Sequence, residues 1–170
     1  DRLGLPFVIH AAESREEVDI VQNRHGRRPI EHLHHLGLLD GRTILAHCVW
    51  LDDGEIELLA ATGATVSHNP ISNAKLASGV APVEALRARG VPVGLGTDSM
   101  LSNNALNLFQ EMKFSVLLQR AHRLDGHAMS ALDALAMGTR EGARVLGWQS
   151  QIGSLEPGKA ADFIILNTDL

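Results

Sequence analysis

Residues 93–104 read VGLGTDSMLSNN. Val93 and Leu95 alternate with glycines, Thr97 and Asp98 follow, and a Ser/Asn cluster then breaks the pattern. This is the signature of a short apolar strand that stops on a carboxylate. A carboxylate at the mouth of such a strand loses hydration at a cost of several kcal/mol, so it requires a metal, a cation or several hydrogen bonds. Three stretches upstream have the same build. Phe7–His10, Thr43–His47 and Ala64–His68 are apolar runs ending on histidine, and Val91–Asp98 is the fourth of the set.

Between these runs the sequence has helical character. Ser14 and Glu17 have capping-box spacing ahead of Val18, Ile20 and Val21. The pattern over 55–61 stops at Gly63, a C-terminal signal, and Pro82 opens a helix that Gly90 closes. Strands alternating with helices predict an α/β fold with a parallel sheet. Two longer helices are expected afterwards. One spans ALNLFQEMKFSVLLQR, with Leu106, Phe109, Met112 and Val116 forming its apolar stripe, and the other runs from Ser130 to Leu146. The tail IGSLEPGKAADFIILN reads as a Pro-Gly turn between two short strands, a β-hairpin outside the alternating pattern.

The bulk numbers narrow the function classes. The chain has 170 residues, 45% hydrophobic and 21% charged, in the range of a globular domain. A net charge of −5 and a pI near 6.0 argue against nucleic acid as the main partner. No apolar run approaches the roughly 18 residues of a membrane helix, and no signal peptide is visible. A single cysteine, Cys48, rules out an internal disulfide framework and fits a reducing cytoplasm. The chain starts without an initiator methionine and closes on the apolar run FIIL, which reads as a portion of something longer.

In α/β sheets, functional groups collect at the carboxyl ends of the strands. Here those ends carry His10, His47, His68 and Asp98. His10, Glu13, His47 and Asp98 are expected to converge at one end of the sheet, their functional atoms within about 10 Å of one another, with His68 at the rim of a pocket. Imidazole and carboxylate together suit zinc or another divalent first-row metal. Glu13, three residues after His10, is either a helix N-terminal acid favoured by the macrodipole or a general acid/base beside the metal. The HLHHL segment lies on a helix away from any strand end, so His32, His34 and His35 are read as structural. Cys48 follows His47 directly and is read as a core thiol. The asparagines at 69, 73, 103 and 104 are expected to bond mainly to loop backbone. No dinucleotide or phosphate-binding glycine fingerprint is present, and one cysteine excludes the P-C-x-x-C zinc deaminases.

Four motifs together resemble the C-terminal half of an amidohydrolase-superfamily enzyme: HAAE at 10–13, AHCVWL at 46–51, SHNPISNAKLASGVAP at 67–82 and GLGTDSMLSNNALNLFQEM at 94–112. The branch they resemble is that of the 5-methylthioadenosine/S-adenosylhomocysteine deaminases, with the triazine hydrolases beside it. The resemblance implies half of a (β/α)8 barrel over 1–150 and return strands to a β-sandwich over 151–170. It implies one divalent metal, zinc with iron as the alternative, held by His10 and Asp98, the latter also serving as a base. It implies Glu13 as the proton shuttle and His47 contacting the activated water or substrate, a small heterocycle; His68 is expected either to contact that substrate as well or to be structural. A homo-oligomer stays open. The chain departs from the family in lacking an H-x-H metal pair, and in having SMLSNN after the aspartate where relatives carry smaller residues. Hydrolytic deamination of an amino-substituted purine is the expectation. Triazine dechlorination and a catalytically incompetent piece are the alternatives.

Overall fold

The computed structural model describes residues 4–167. Its centre is a four-stranded, all-parallel sheet in sequence order: β1 (Phe7–Ala11), β2 (Thr43–His47), β3 (Thr65–His68) and β4 (Val93–Leu95). The crossovers hold α1 (Arg15–His25), α2 (Pro29–His35), α3 (Asp53–Thr62), α4 (Pro70–Lys75) and α5 (Val83–Ala88). After β4 come α6 (Met100–Asn103), α7 (Leu108–Arg123), α8 (Ala131–Met137) and α9 (Arg140–Val145). Among the described residues no helix is long and apolar enough to cross a membrane.

Local chemistry sets the boundaries. The Ser14 hydroxyl caps α1 at Glu17 N, and Asp52 forms a reciprocal capping box with Glu55 on α3. Gly63 ends α3 at φ 75°, a left-handed cap that a Cβ would strain.

Strand pleating then sorts the side chains into rows. Ile9, Leu45, Val66 and Val93 share a row on the helix-covered face and pack with Ile30, Ile56, Leu59 and Leu86, each 2% exposed or less. The next row, His10, Ala46, Ser67 and Gly94, faces the other way, into a cavity of about 440 Å³. Small side chains beside His10 keep that space open. α9 closes its lower part, because Gly94 lets the backbone of Gly142 approach to where a Cβ would stand at 3.0 Å.

Three expectations about elements need correction. The single helix over 130–146 is two helices, broken at Gly138–Thr139, where Thr139 leaves helical geometry at φ −130°, ψ −99°. α7 buries Glu111, Ser115 and Gln119, while Leu106 and Phe109 of the expected stripe are 63% and 48% exposed. Hydrogen bonding turned that helix: Gln119 Nε2 donates to Ala81 O at 2.8 Å, and the other two polar side chains are also bonded inward. Finally, the tail over 151–167 makes a turn at Pro157–Gly158 but no strands. Phe163, Ile164, Ile165 and Leu166 stay 58–87% exposed, and a two-stranded hairpin with no face to bury is marginal in water.

Candidate metal and catalytic centre

The carboxyl ends of β1 and β2 meet by means of left-handed backbone. Ala12 (φ 52°), His47 (φ 74°) and Cys48 (φ 49°) all adopt it without being glycine, as does Asp98 (φ 57°). Strain of this kind costs on the order of 1–3 kcal/mol per residue and clusters at functional sites. It is held in place by the chain itself: Cys48 N donates to Ala11 O, and Val49 N and Trp50 N both donate to Ala12 O, at 2.9–3.1 Å. The Glu17 carboxylate reaches past Ser14 and accepts from Ala12 N (2.8 Å) and Glu13 N (2.7 Å). The expected capping box is thus only half formed, and its acid fixes the turn that presents Glu13.

This turn brings three functional groups together. Ligand atoms of His10, Glu13 and His47 all lie within 4.8 Å of one another. His47 Nε2 stands 3.7 Å from Glu13 Oε2, and the rings of His10 and His47 meet edge to face with centroids 4.7 Å apart. His47 is fully buried, and its Nδ1 lies 2.8 Å from Asn73 Oδ1. An amide oxygen only accepts, so Nδ1 carries the proton and Nε2 offers a lone pair. That Nε2 is buried with no hydrogen-bond partner in the structure. An orphaned imidazole lone pair beside a second imidazole and a carboxylate fits a divalent metal of the zinc type. Glu13 Oε1 also accepts from the Ser78 hydroxyl at 3.4 Å, and Trp50 Nε1 anchors Ser78 O at 2.7 Å.

Asp98 lines the same cavity as His10, together with Ser67, Asn69 and Gly96. It lies outside the close trio. Asp98 Oδ2 instead accepts from Ser72 Oγ at 2.6 Å and Ser102 Oγ at 2.7 Å. Burial pushes its pKa up, but the Ser72 and Ser102 hydroxyls outweigh this and hold the group below the usual aspartate value. The strand-end carboxylate therefore stays ionised on hydrogen bonds.

His68 is corrected. It is 1% exposed and lies behind the pocket rather than at its rim. The pleat turns Ser67 and Asn69 toward the cavity and His68 the opposite way. Both its ring nitrogens are unpartnered, and burial, reinforced by neighbouring His47, lowers its pKa to about 3, so the ring is neutral. Cys48 is a buried core thiol whose pKa burial pushes up. His34 and His35 are exposed, and His32 stacks on His25 at 4.0 Å, far from any strand end.

The asparagines were only partly anticipated. Asn103 Nδ2 donates to Thr97 O at 2.5 Å as a loop asparagine should. Asn69 instead accepts from Ser67 Oγ, Asn104 from Lys75 Nζ, and Asn73 contacts the buried histidine. Ser72, Asn73, Ser78 and Ser102 are site residues that reading the sequence missed. Their only signal was density of small polar residues in the loops after β3 and β4.

The chain belongs to the amidohydrolase family, whose model matches residues 1–170. It is 51% identical over 168 residues to a 5'-deoxyadenosine deaminase of Methanothermobacter thermautotrophicus, covering 99% of this chain and 39% of that protein. It is 46% identical to a 5-methylthioadenosine/S-adenosylhomocysteine deaminase of Symbiobacterium thermophilum, with 99% and 39% coverage. An adenosine deaminase from Xanthomonas campestris with bound zinc superposes at a TM-score of 0.92, with 41% identity over 95% of this chain and 37% of that one. A zinc complex of an atrazine chlorohydrolase from Arthrobacter aurescens gives 0.87, with 29% identity over 93% of this chain and 35% of that one. The chain thus spans about two-fifths of the length of the curated relatives it matches, and its sheet is part of the amidohydrolase (β/α)8 barrel.

Proposed function

We propose that the protein containing this chain is a metal-dependent aminohydrolase that deaminates 5'-substituted adenosines, a class that includes 5'-deoxyadenosine and 5-methylthioadenosine. The observation that supports this most directly is the trio of His10, Glu13 and His47 with its unpartnered lone pair. The deaminase relatives at 46–51% identity supply the substrate class. The triazine hydrolase stands further off, at 29%. In this reading residues 1–150 are the catalytic part and 151–170 lead to a β-sandwich element.

His10 and Asp98 would hold the metal, zinc or iron, from the first and last strands. When bound, such a metal lowers the pKa of water from about 15.7 toward roughly 7 and so supplies hydroxide at neutral pH. His47 Nε2 accepts a hydrogen bond and orients the attacking oxygen over the ring carbon that bears the amine. Asp98, held ionised by two serine hydroxyls, takes up the proton the water loses. Glu13 delivers a proton to the adjacent ring nitrogen, takes up the proton of the hydroxyl now on the ring carbon and passes it to the amine, which leaves as ammonia; the proton held by Asp98 then returns to Glu13. The ring keeps the oxygen, so water is consumed one for one with ammonia released.

The test is a release assay on the full-length protein with 5'-deoxyadenosine, 5-methylthioadenosine, S-adenosylhomocysteine, guanine and atrazine. The expected result is ammonia from one or more of the adenosine derivatives, with the highest kcat/KM of the panel. Chloride from atrazine as the best reaction, or no ammonia from any adenosine derivative, overturns the proposal.

A further inference from the structure

Glu111 is a second buried acid that the proposed chemistry leaves unused. It is 0% exposed, and the partners of its carboxylate are neutral: Asn103 Nδ2 donates to Oε1 at 2.6 Å and Ile71 N donates to Oε2 at 3.2 Å. Each partner adjoins groups that grip the site. Ile71 on α4 precedes Ser72, which donates to Asp98, and Asn73, which meets His47. Asn103 on α6 follows Ser102, the second donor to Asp98, and also donates to the carbonyl of Thr97, the residue before Asp98. The bonds close a ring running from Glu111 through α4 to Asp98 and back through α6.

Two physical points give the ring a purpose. α4 has six residues and α6 has four, too few for either helix to hold its shape unaided. Their orientation must come from outside. Asp98 itself is bonded to both, through Ser72 and Ser102, and Lys75 of α4 donates to Leu101 O of α6; Glu111 ties both from behind and is rooted in the sixteen-residue α7. A buried carboxylate without a cation is also a poor stabilising device, since an apolar side chain of similar volume commonly does as well or better. The helix macrodipole accounts for an acid in the first turn of α7, but not for its being turned inward onto two separate loops.

We infer that Glu111 is a positioning residue, which through α4 and α6 sets the placement of Asp98 and His47. The inference rests on the reading of those two residues as working groups. Its test combines an assay with a measurement that needs no substrate. In the full-length protein, amide hydrogen exchange is followed for residues 70–76 and 98–104 in wild type, Glu111→Gln and Asn103→Ala. Glu55→Gln, which alters a buried acid in the α2–α3 network, is the control.

For Glu111→Gln, exchange should quicken about tenfold or more in both segments and stay unchanged in α1 and α3. Its kcat should fall about 10- to 100-fold with KM within about twofold, the usual scale for lost outer support of a site. Asn103→Ala cuts the same tie from the other end and should loosen 98–104 alone, so the inference stays testable if Glu111→Gln does not fold. Glu55→Gln should lower Tm while leaving both segments and kcat as in wild type. Unchanged exchange in both segments overturns the inference. So does looser exchange with kcat intact, or loosening spread evenly over the chain. If no nucleoside is deaminated, the proposed function fails, and the exchange pattern still decides whether Glu111 orders the two loops.

Discussion

Asn73 shows how one amide can set the chemistry of a histidine. With its oxygen on Nδ1, His47 is held in the tautomer whose Nε2 lone pair faces Glu13 and His10. Asn73→Ala removes the acceptor that holds this tautomer, so kcat/KM should fall about 10- to 100-fold, as read from initial rates. Glu13 gives a second residue-level expectation. Glu13→Gln should keep the metal, measured by elemental analysis, while kcat falls by about 10² to 10⁴, the span of a lost general acid/base. His10→Ala removes a ligand and should lose metal and turnover together. Metal loss in Glu13→Gln, or turnover intact, would reverse the assignment of proton shuttle and ligand.

The elements divide into those whose ends are written in local sequence and those tied from elsewhere. α8 belongs to the first kind. Ser130 and Asp133 form a full capping box, and Arg87 of α5 pairs with Asp133 at 2.8 Å. The Ser130 hydroxyl first, and then Arg87, hold the Asp133 carboxyl down at about 2. An unfolded aspartate titrates near about 3.9, so between these values the unfolded chain binds the extra proton. This contribution is complete above about pH 4 and drains away as pH falls toward 2. The side chain is 35% exposed, so solvent screening keeps the effect small. Urea midpoints at pH 5 and pH 2.5 should therefore fall less for Asp133→Asn than for wild type. α7 is of the second kind: its apolar spacing named one face, while the bonds of Glu111, Ser115 and Gln119 turned another face inward.

At the scale of the molecule, the sheet is covered on one face only in part. β1 is an edge strand among the described residues, with Phe7 39% and Val8 61% exposed, and the apolar tail over 163–166 is open as well. An apolar strand edge is a template for pairing with another chain. The 170-residue chain on its own should associate with rising concentration, seen by sedimentation velocity. Val8→Lys, a charge on the edge strand, should shift it back toward monomer. A monomer at every concentration would show that this edge does not pair.

The four strands, their parallel order and the placement of His10, His47 and Asp98 at strand ends were legible in the sequence, because they depend on short apolar runs that terminate in polar groups. The helix caps at Ser14 and Gly63 were legible too, since capping involves residues three or four apart. The tertiary structure alone decided the rest. What holds the Asp98 carboxylate is the pair of hydroxyls of Ser72 and Ser102, which come from two different helices. His68 went to the interior because strand pleating gave the cavity to its neighbours. Glu13 reaches His47 because Glu17 folds the turn back through backbone amides and because three residues accept left-handed φ. Local pattern fixes which face a residue can take, whereas contacts between residues distant in sequence fix what it meets there.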